Sequence, residues 1–173
     1  MTKRFIFAGY GGQGMLLCGQ MLAQAAMYDG YFVTWLPTYG PEMRGGAAAC
    51  AVVISDSVVG SPLIMPSDVV TVASRPSFDK YKDFVKEGGS LIFNSSLILL
   101  DESEIKPCYV ALDAQKLAAE AGNEKSLNMV ILGAANRFAN ISEKSINEAI
   151  AHKFKKPALC ELNEKAVLLG SRA

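Results

Sequence analysis

The chain carries two hydrophobic periods, one typical of buried strands and one typical of helices. Short apolar, often β-branched runs that end at glycine, proline or polar residues predict strands. The predicted strands are residues 5–8, 31–36, 47–55, 69–73, 90–94 and 109–112. Apolar residues three and four positions apart predict helices between and after these strands. The predicted helices are residues 15–28, 76–86, 114–121, 126–138, 142–154 and 157–169.

Alternating strands and helices, followed by a helical final third, predict an α/β fold. We expect a mostly parallel, Rossmann-like three-layer sheet with helices on both faces. The first strand, the helix at 15–28 and the second strand form a predicted βαβ unit with a right-handed crossover. Gly88-Gly89 and Gly170 are predicted to end helices, and residues 37–46 to form a loop. The length of 173 residues fits a single domain covering 1–173.

Composition leaves two interpretations of the surface open. Half of the residues are apolar and only 20% are charged. Either the sheet is buried on both faces, or part of the surface is covered by another chain. The second interpretation is compatible with a homodimer of the isolated chain.

The charge balance argues against nucleic acid as a partner. Lysine plus arginine equal aspartate plus glutamate, 17 against 17, and the only basic cluster is Lys153, Lys155 and Lys156. No apolar run reaches the length of a membrane span, so no membrane association is expected. The apolar run after Lys3-Arg4 is too short for a secretory signal, which predicts a first strand and a cytoplasmic protein.

The cysteines and the histidine give no support for metal or nucleophilic chemistry. The cysteines at 18, 50, 108 and 160 are widely spaced, and no C-x-x-C motif occurs. The single histidine, His152, falls on a polar helix face and has no cysteine near it in sequence. We therefore predict no catalytic residue and no metal ligand in this chain, and expect electron carriers to lie on another one.

The segment Gly9–Gly14 matches a dinucleotide-binding fingerprint between a strand and a helix. A nicotinamide site also needs an acidic residue near the end of the second strand, but that region reads Trp35-Leu36-Pro37. NAD binding is therefore not expected. Two alternatives remain for Gly11, Gly12 and Gly14: they bind a different phosphate-bearing ligand, or they permit tight packing against a helix or a partner backbone.

Further motifs in a fixed order closely resemble the gamma subunit of the 2-oxoacid:ferredoxin (acceptor) oxidoreductases. The matching segments are Gly9–Gly14, Tyr39–Gly46, Ile54–Asp56 with Ser61-Pro62, Gly88–Ser95, Asn128–Ala134 and Leu162–Ala166. The run from Trp35 to Gly46 looks most like the 2-oxoglutarate type. Ala47-Ala48-Ala49 departs from that type, which tends to have polar residues there.

The resemblance implies a subunit that does not complete a reaction alone. Such enzymes oxidatively decarboxylate a 2-oxoacid to its acyl-CoA and pass electrons to ferredoxin or another acceptor. The implied partners are alpha and beta subunits that bind thiamine diphosphate and magnesium, and a ferredoxin-like subunit with iron–sulfur clusters. Coenzyme A is the ligand that the resemblance associates with the gamma subunit itself.

The motif Tyr39–Gly46 contains the first candidate for a ligand contact. The Arg44 guanidinium is placed to grip a coenzyme A phosphate or a partner carboxylate, with Gly45 and Gly46 allowing close approach. Alternatively, Arg44 pairs with Glu42 and only fixes the loop. Glu42 itself either orients Arg44, reaches a neighbouring subunit or is solvated. Tyr39 either stacks on a ring or an interface, or is an ordinary half-buried tyrosine.

Two amide side chains complete the candidate site. Gln13 lies where an anion would meet the start of the first helix, and its alternative role is to cap that helix. Asn128 is expected either to cap an apolar helix or to bond across to the glycine loop. Two rival functions remain: a stand-alone nucleotide-binding module, and a subunit that only shapes its complex.

Overall fold

The computed structural model describes residues 1–39, 47–61 and 66–173, with Tyr39 described by its backbone alone. The strands and longer helices are β1 (Thr2–Tyr10), α1 (Met15–Tyr28), β2 (Phe32–Tyr39), β3 (Ala47–Ser55), β4 (Ser67–Val72), α2 (Arg75–Tyr81), β5 (Val85–Asn94), β6 (Tyr109–Leu112), α3 (Ala114–Ala121), α4 (Leu127–Ala139), α5 (Glu143–Lys153) and α6 (Pro157–Arg172). Short 3₁₀ turns cover Lys82–Phe84, Glu102–Glu104 and Glu124–Ser126.

The strands form one sheet in the order β2-β3-β1-β4-β5-β6. β1, β4, β5 and β6 are parallel neighbours, and β3 is antiparallel to both β1 and β2. Every strand of this sheet except β3 therefore points the same way, so the carboxyl ends of β1, β2, β4, β5 and β6 share one edge. We call it the carboxyl edge, and the opposite one the amino edge.

Hydrophobic side chains cover both faces of the sheet, as the apolar strands predict. On one face, Phe5 and Phe7 of β1 and Val52 of β3 pack in a core with α1 and with α3 to α6. On the other, Ile6 and Val70 pack with α2 and with the segment after β5. The α/β fold with a mostly parallel sheet and helices on both faces is thus confirmed.

The two strands of the predicted βαβ unit are parallel but are not neighbours, because β3 lies between them. β3 pairs with β1 from Ala47 to Ser55 and with β2 from Ala48 to Ser55. β2 and β3 are consecutive antiparallel strands, whereas α1 connects β1 to a strand two positions away. Hydrophobic periodicity identified the strands but carries no information about their neighbours.

Three predicted boundaries are also wrong. Residues 82–86 were assigned to the second helix, but α2 ends at Tyr81 and β5 begins at Val85. Gly88 and Gly89 lie inside β5, where a Cβ on Gly89 would stand 2.8 Å from the Asp68 carbonyl oxygen of β4. β2 continues through Pro37 to Tyr39, and α6 continues through Gly170 to Arg172.

Helices α4 and α6 cross with their backbones in contact at two glycines. A Cβ added to Gly133 of α4 would overlap the Val167 carbonyl of α6 and stand 2.9 Å from the Ser171 nitrogen. A Cβ added to Gly170 of α6 would overlap the Val130 carbonyl of α4. This crossing explains why Gly170 stays within its helix, since the glycine is needed for packing rather than for termination.

Residues 2 and 173 both lie toward the amino edge. β1 starts at Thr2 on that edge because it runs toward the carboxyl edge. The Lys3 ammonium donates to the Phe138 carbonyl, which puts the last turn of α4 beside it. The Arg137 guanidinium in turn donates to the carbonyl oxygen of Ala173. Among the residues that the structure describes, no helix combines the length and apolar character needed to cross a membrane.

Candidate functional site

The strand order creates a crevice at the carboxyl edge between β1 and β4. After β1 the chain turns to α1 on one face and continues to β2 and β3 on one side of β1. After β4, on the other side of β1, it turns to α2 on the opposite face. Open α/β sheets bind ligands at such a point, where successive connections leave in opposite directions. The glycine loop, residues 10–14, lies at this point.

The backbone of the glycine loop explains two of its glycines. Gly12 and Gly14 have φ angles of +100° and +74°, which other residues rarely adopt. A Cβ on Gly12 would meet no atom of the described residues within 4 Å, and its positive φ is what favours glycine there. A Cβ on Gly14 would stand 2.6 Å from Asn128 Nδ2, so both conformation and space require glycine there. Gly11, directly before Gly12, is half-buried in the same turn.

Gln13 braces the loop against the end of β4. Its Oε1 accepts from the Tyr10 N–H at 2.6 Å, and its Nε2 donates to the Ala73 carbonyl at 3.0 Å. The Gln13 amide thus links the loop after β1 to the residue that follows β4, on the two sides of the crevice. Its contact with a ligand stays a prediction, and any such contact would use the second hydrogen of Nε2.

The first turn of α1 presents free donors to the crevice. Gly14 occupies the N-cap position, so no side chain caps the helix, and the first turn contains no acidic residue. The first N–H groups of a helix have no partner within it, and the helix dipole is positive at this end. This end of α1 therefore suits an anionic group of a ligand.

Asn128 and α4 form a wall next to the loop. Asn128 is the second residue of α4, packs against Gly14, and is only 9% exposed. Within the described part of the chain its amide makes no hydrogen bond, so it neither caps α4 nor bonds to the loop. It lines a pocket of about 280 Å³ with Leu17, Phe154, Leu162 and Asn163. The pocket is mainly apolar, and three asparagines, Asn123, Asn128 and Asn163, contribute amides to its wall.

The structure places Tyr39 and Ala47, the described residues on either side of the segment 40–46, at the carboxyl edge near the glycine loop. Tyr39 ends β2 opposite Ala48, and Ala48 faces Gly9 of β1. Ala47, which begins β3, faces Tyr10. Gly14 and Tyr39 are 25 positions apart in the sequence, and the sheet brings the glycine loop and the end of β2 to one edge. The predicted contacts Glu42, Arg44, Gly45 and Gly46 lie outside the described residues, as does the side chain of Tyr39.

Asn94 is a polar group at this edge that sequence reasoning did not single out. It ends β5, is 1% exposed, and its Nδ2 has no hydrogen-bond partner. Its Oδ1 accepts from the Ser96 N–H at 3.3 Å. An asparagine directly after the apolar run Leu91-Ile92-Phe93 was the available signal, because a buried amide needs partners.

Two carboxylates fix the segments around the crevice. The Ser96 hydroxyl and the Lys116 N–H bond to Asp113, and they lower the pKa of that carboxyl. The Arg75 guanidinium at the start of α2 lowers the pKa of Glu104 in the same way. Both carboxylates are thus held ionised by the protein and serve to order the edge. Residues 1–39, 47–61 and 66–173 contain no group of three or more His, Cys, Asp or Glu side chains arranged to hold a metal ion.

Comparisons with known proteins point to one family. The family model for pyruvate ferredoxin/flavodoxin oxidoreductase matches residues 4–173. The 2-oxoglutarate synthase subunit KorC of Methanocaldococcus jannaschii is 36% identical over 154 residues, covering 87% of this chain and 82% of KorC. The ketoisovalerate oxidoreductase subunit VorA of Methanothermobacter thermautotrophicus is 35% identical over 171 residues, covering 97% of this chain but 35% of VorA. The chain thus spans about a third of the length of VorA.

Solved structures share the fold along the whole chain. The gamma subunit of keto/oxoacid ferredoxin oxidoreductase from Geobacter sulfurreducens has a TM-score of 0.81 and 32% identity, covering 98% of this chain and 96% of that one. The 2-oxoglutarate:ferredoxin oxidoreductase from Magnetococcus marinus, with 2-oxoglutarate, coenzyme A and succinyl-CoA bound, has a TM-score of 0.87 and 26% identity, covering 99% of this chain and 30% of that one. The chain therefore belongs to the pyruvate ferredoxin/flavodoxin oxidoreductase family, and the resemblance to gamma subunits carried by its motifs is confirmed.

Proposed function

We propose that this chain works as the gamma subunit of a multi-subunit oxidoreductase that converts 2-oxoglutarate and coenzyme A to the acyl-CoA, with ferredoxin or another acceptor taking the electrons. Its partners in this proposal are alpha and beta subunits that carry thiamine diphosphate and magnesium, and a ferredoxin-like subunit that carries iron–sulfur clusters. The four cysteines of this chain are free thiols, which fits a reducing, cytoplasmic location.

The open start of α1 at the carboxyl edge is the observation that carries this proposal. Coenzyme A bears phosphates, and when bound it supplies the thiol that takes the acyl group. The backbone N–H groups in the first turn of α1 would receive a phosphate, because Gly14 at the N-cap position offers no side chain to bond them. Arg44 precedes Ala47, which pairs with Tyr10 of the glycine loop, and its guanidinium would add a charge-assisted bond.

Replacement of Arg44 in the assembled enzyme tests the coenzyme A role. A hydrogen bond to a charged group contributes roughly 1.5–3 kcal/mol, so Arg44→Ala should raise KM for coenzyme A roughly 10- to 100-fold. We expect kcat and subunit composition to stay near wild type. Arg172→Ala, at the far end of α6, is the matched control and should change neither constant. An unchanged KM in Arg44→Ala would remove the ligand role.

Preference for 2-oxoglutarate rests on two observations. The run Trp35 to Gly46 looks most like the 2-oxoglutarate type, and this chain covers 82% of KorC against 35% of VorA. Steady-state assays of the native complex with 2-oxoglutarate, ketoisovalerate and pyruvate decide the matter. We expect kcat/KM for 2-oxoglutarate to exceed the others by at least about tenfold, a difference of about 1.4 kcal/mol in transition-state binding. A higher value for ketoisovalerate would show that the substrate assignment is wrong.

A purely structural subunit is the rival that the structure supports with a specific contact. The Gln13 side-chain amide is hydrogen-bonded to the Tyr10 N–H and to the Ala73 carbonyl, and the Asn128 side chain occupies the space next to Gly14. If the glycines serve only this packing, calorimetric titration of the chain and of the complex with coenzyme A should give no heat of binding. Micromolar binding of NAD to the isolated chain would instead favour a stand-alone nucleotide-binding module.

A further inference from the structure

One buried amide beside the start of α1 has no partner. Asn128 packs against Gly14, the N-cap residue of α1, and is 9% exposed. It makes no hydrogen bond to any described residue. Because a buried polar group normally has a partner, an orphaned amide points to a bound molecule that would supply one. The free N–H groups of α1 and this amide lie side by side, so one ligand could use both.

The pocket that Asn128 lines, here called the amide pocket, is apolar with amides at fixed positions. It measures about 280 Å³, and its walls include Leu17, Asn123, Asn128, Phe154, Leu162 and Asn163. Asn123 Oδ1 accepts from the Lys125 N–H at 2.9 Å, which leaves the donor of that amide. Asn163 Nδ2 donates to the Leu159 carbonyl at 2.8 Å, which leaves its acceptor. The pocket thus offers both donors and acceptors.

The size and lining of the amide pocket suit a flat heterocyclic ring. Sites for whole ligands usually measure roughly 300–1,000 Å³, so this pocket would hold only part of a larger one. Its apolar walls would cover the faces of the ring, with Phe154 available for stacking. Asparagine amides bond well to the edge of adenine. A purine base meets these conditions, whereas a hydrocarbon chain would leave the amides unpaired.

Lysines supply positive charge at the amide pocket. Among the described residues that line it, Lys125 is the only charged one. Lys155 and Lys156 directly follow the lining residue Phe154, and both are exposed. No described residue forms an ion pair with these three lysines. A base in the pocket would therefore place an attached phosphate beside unpaired ammonium groups.

The acidic side chains of the surrounding elements lie outside the amide pocket. Helices α3, α5 and α6 and the 3₁₀ turn before α4 carry Glu120, Glu124, Glu143, Glu148, Glu161 and Glu164. None of these glutamates lines the amide pocket. Glu143, Glu161 and Glu164 line a separate pocket, together with Asn136 of α4 and Ile146 of α5. The charge that faces the amide pocket is therefore positive.

We propose that the amide pocket binds the nucleotide end of an anionic ligand, with a purine base between Asn128 and Phe154, a ribose phosphate on Lys125 and a diphosphate at the start of α1. The inference rests on the proposed function, because coenzyme A has such an end: adenine, a ribose 3′-phosphate and a diphosphate that leads to the thiol arm. In that function the thiol must reach an acyl group formed on another subunit, which leaves the nucleotide end for this chain.

Fragments of coenzyme A test the site by direct binding to the purified complex. Adenosine 3′,5′-bisphosphate should bind in calorimetric titration, and pantetheine should not displace it. Lys125→Ala should weaken binding of the bisphosphate about tenfold, because a charge-assisted hydrogen bond is lost. Lys144→Ala is the matched control and should bind as wild type. Lys144 is exposed in the first turn of α5, which contacts Asp29 at the far end of α1.

Steady-state assays separate the ribose phosphate from the diphosphate. Lys125→Ala should raise KM for coenzyme A about tenfold with kcat near wild type, and leave KM for 3′-dephospho-coenzyme A unchanged. Arg44→Ala, by contrast, should raise KM for both compounds.

A modified base tests the role of Asn128. In 1,N6-etheno-coenzyme A the adenine amino group is no longer a donor, so wild type should have a KM for it roughly tenfold above that for coenzyme A. Asn128→Ala should bring the two KM values within about twofold of each other. A tenfold difference that persists in Asn128→Ala would show that another group reads the base.

The outcomes separate this inference from the proposed function. If turnover depends on coenzyme A but Lys125→Ala matches wild type toward both coenzyme A and the bisphosphate, the nucleotide site is overturned and the proposed function stands. An equal rise in KM for coenzyme A and its dephospho form also overturns the inference. No coenzyme A-dependent turnover in wild type overturns both proposals. Should Asn128→Ala lower the unfolding temperature, the comparison with Lys125→Ala, at an exposed residue, still decides.

Discussion

Single residues in this chain are constrained by neighbours that are distant in sequence. Gly12, Gly14 and Gly30 all have positive φ, yet only Gly14 also has a side chain, that of Asn128, in the space a Cβ would take. The burial of the cysteines also depends on distant neighbours. Cys18 of α1 and Cys50 of β3 are fully buried where these two elements pack, whereas Cys108 and Cys160 are half-buried. Residue type alone does not separate these cases.

Alanine at position 14 should destabilise the chain more than alanine at position 30. A positive φ costs a non-glycine residue roughly 1–2 kcal/mol, and Gly14→Ala adds the overlap with Asn128. Gly30→Ala, with no atom within 4 Å of its Cβ, carries only the first cost and is the matched control. Urea unfolding gives the difference in free energy. Asn128→Ala should recover part of the loss in the Gly14→Ala background, and full additivity of the two changes would contradict the contact.

Buried thiols should resist alkylation. Burial raises the pKa of Cys50 to about 12 and raises that of Cys18 well above 9.0. Iodoacetamide at pH 8 should therefore label Cys108 and Cys160 in the native chain and reach Cys18 and Cys50 only after unfolding. Labelling is measured by peptide mass spectrometry. Equal labelling of Cys50 and Cys160 without denaturant would contradict the packing of α1 on β3.

The same thiols predict the direction of a pH effect on stability. Their pKa values are higher in the folded chain than in the unfolded one, so the unfolded chain loses these protons first as pH rises. The contribution is fully present below the unfolded value near 9.0 and decreases as pH rises toward 12. Cys50→Ala should flatten the decrease between pH 8.5 and pH 10.5, measured by urea unfolding, and an unchanged slope would contradict the assignment.

At the scale of elements, sequence pattern was a good guide wherever an element is defined by its own residues. Helices 15–28 and 114–121 and strands 47–55 and 109–112 were predicted at the bounds that the structure has. Errors occurred where a glycine expected to end a helix instead permits close packing against a distant element. Gly89 lies against β4, and Gly170 lies against α4. For the candidate site, the glycine loop was predictable from its spacing. Asn94 and the Ala73 carbonyl were not, because their positions depend on strand order.

The crossing of α4 and α6 predicts two positions that admit only glycine. Gly133→Ala and Gly170→Ala each place a methyl group against the backbone of the other helix, and each should cost about 2–4 kcal/mol. Thermal unfolding followed by circular dichroism measures the loss. Gly60→Ala, whose Cβ would meet no described residue within 4 Å, is the control and should have the unfolding temperature of wild type. Wild-type stability in either helix variant would mean that the helices are farther apart.

At the scale of the whole molecule, one sheet joins two cores that lie on its opposite faces. Phe5 and Phe7 belong to one core, and Ile6 and Ala8, alternating with them along β1, belong to the other. A substitution that disrupts β1 should therefore destabilise the hydrophobic cores on both faces of the sheet. We propose on this basis that residues 1–173 unfold as a single domain.

Two probes on the wild-type chain test that cooperativity. Trp35, the single tryptophan, reports on β2 through its fluorescence, and far-ultraviolet circular dichroism reports mainly on the helices. Urea midpoints from the two signals should coincide. A fluorescence midpoint below the dichroism midpoint would show that β2 and β3 detach from the rest of the sheet before it unfolds.

The placement of residues 2 and 173 at the amino edge has a consequence for genetic fusion. A polypeptide joined at either point would emerge away from the glycine loop. The same fold occupies 30% of the Magnetococcus marinus chain, so it exists within longer polypeptides. Affinity handles and reporter domains joined next to residue 2 or residue 173 should accordingly leave the glycine loop accessible.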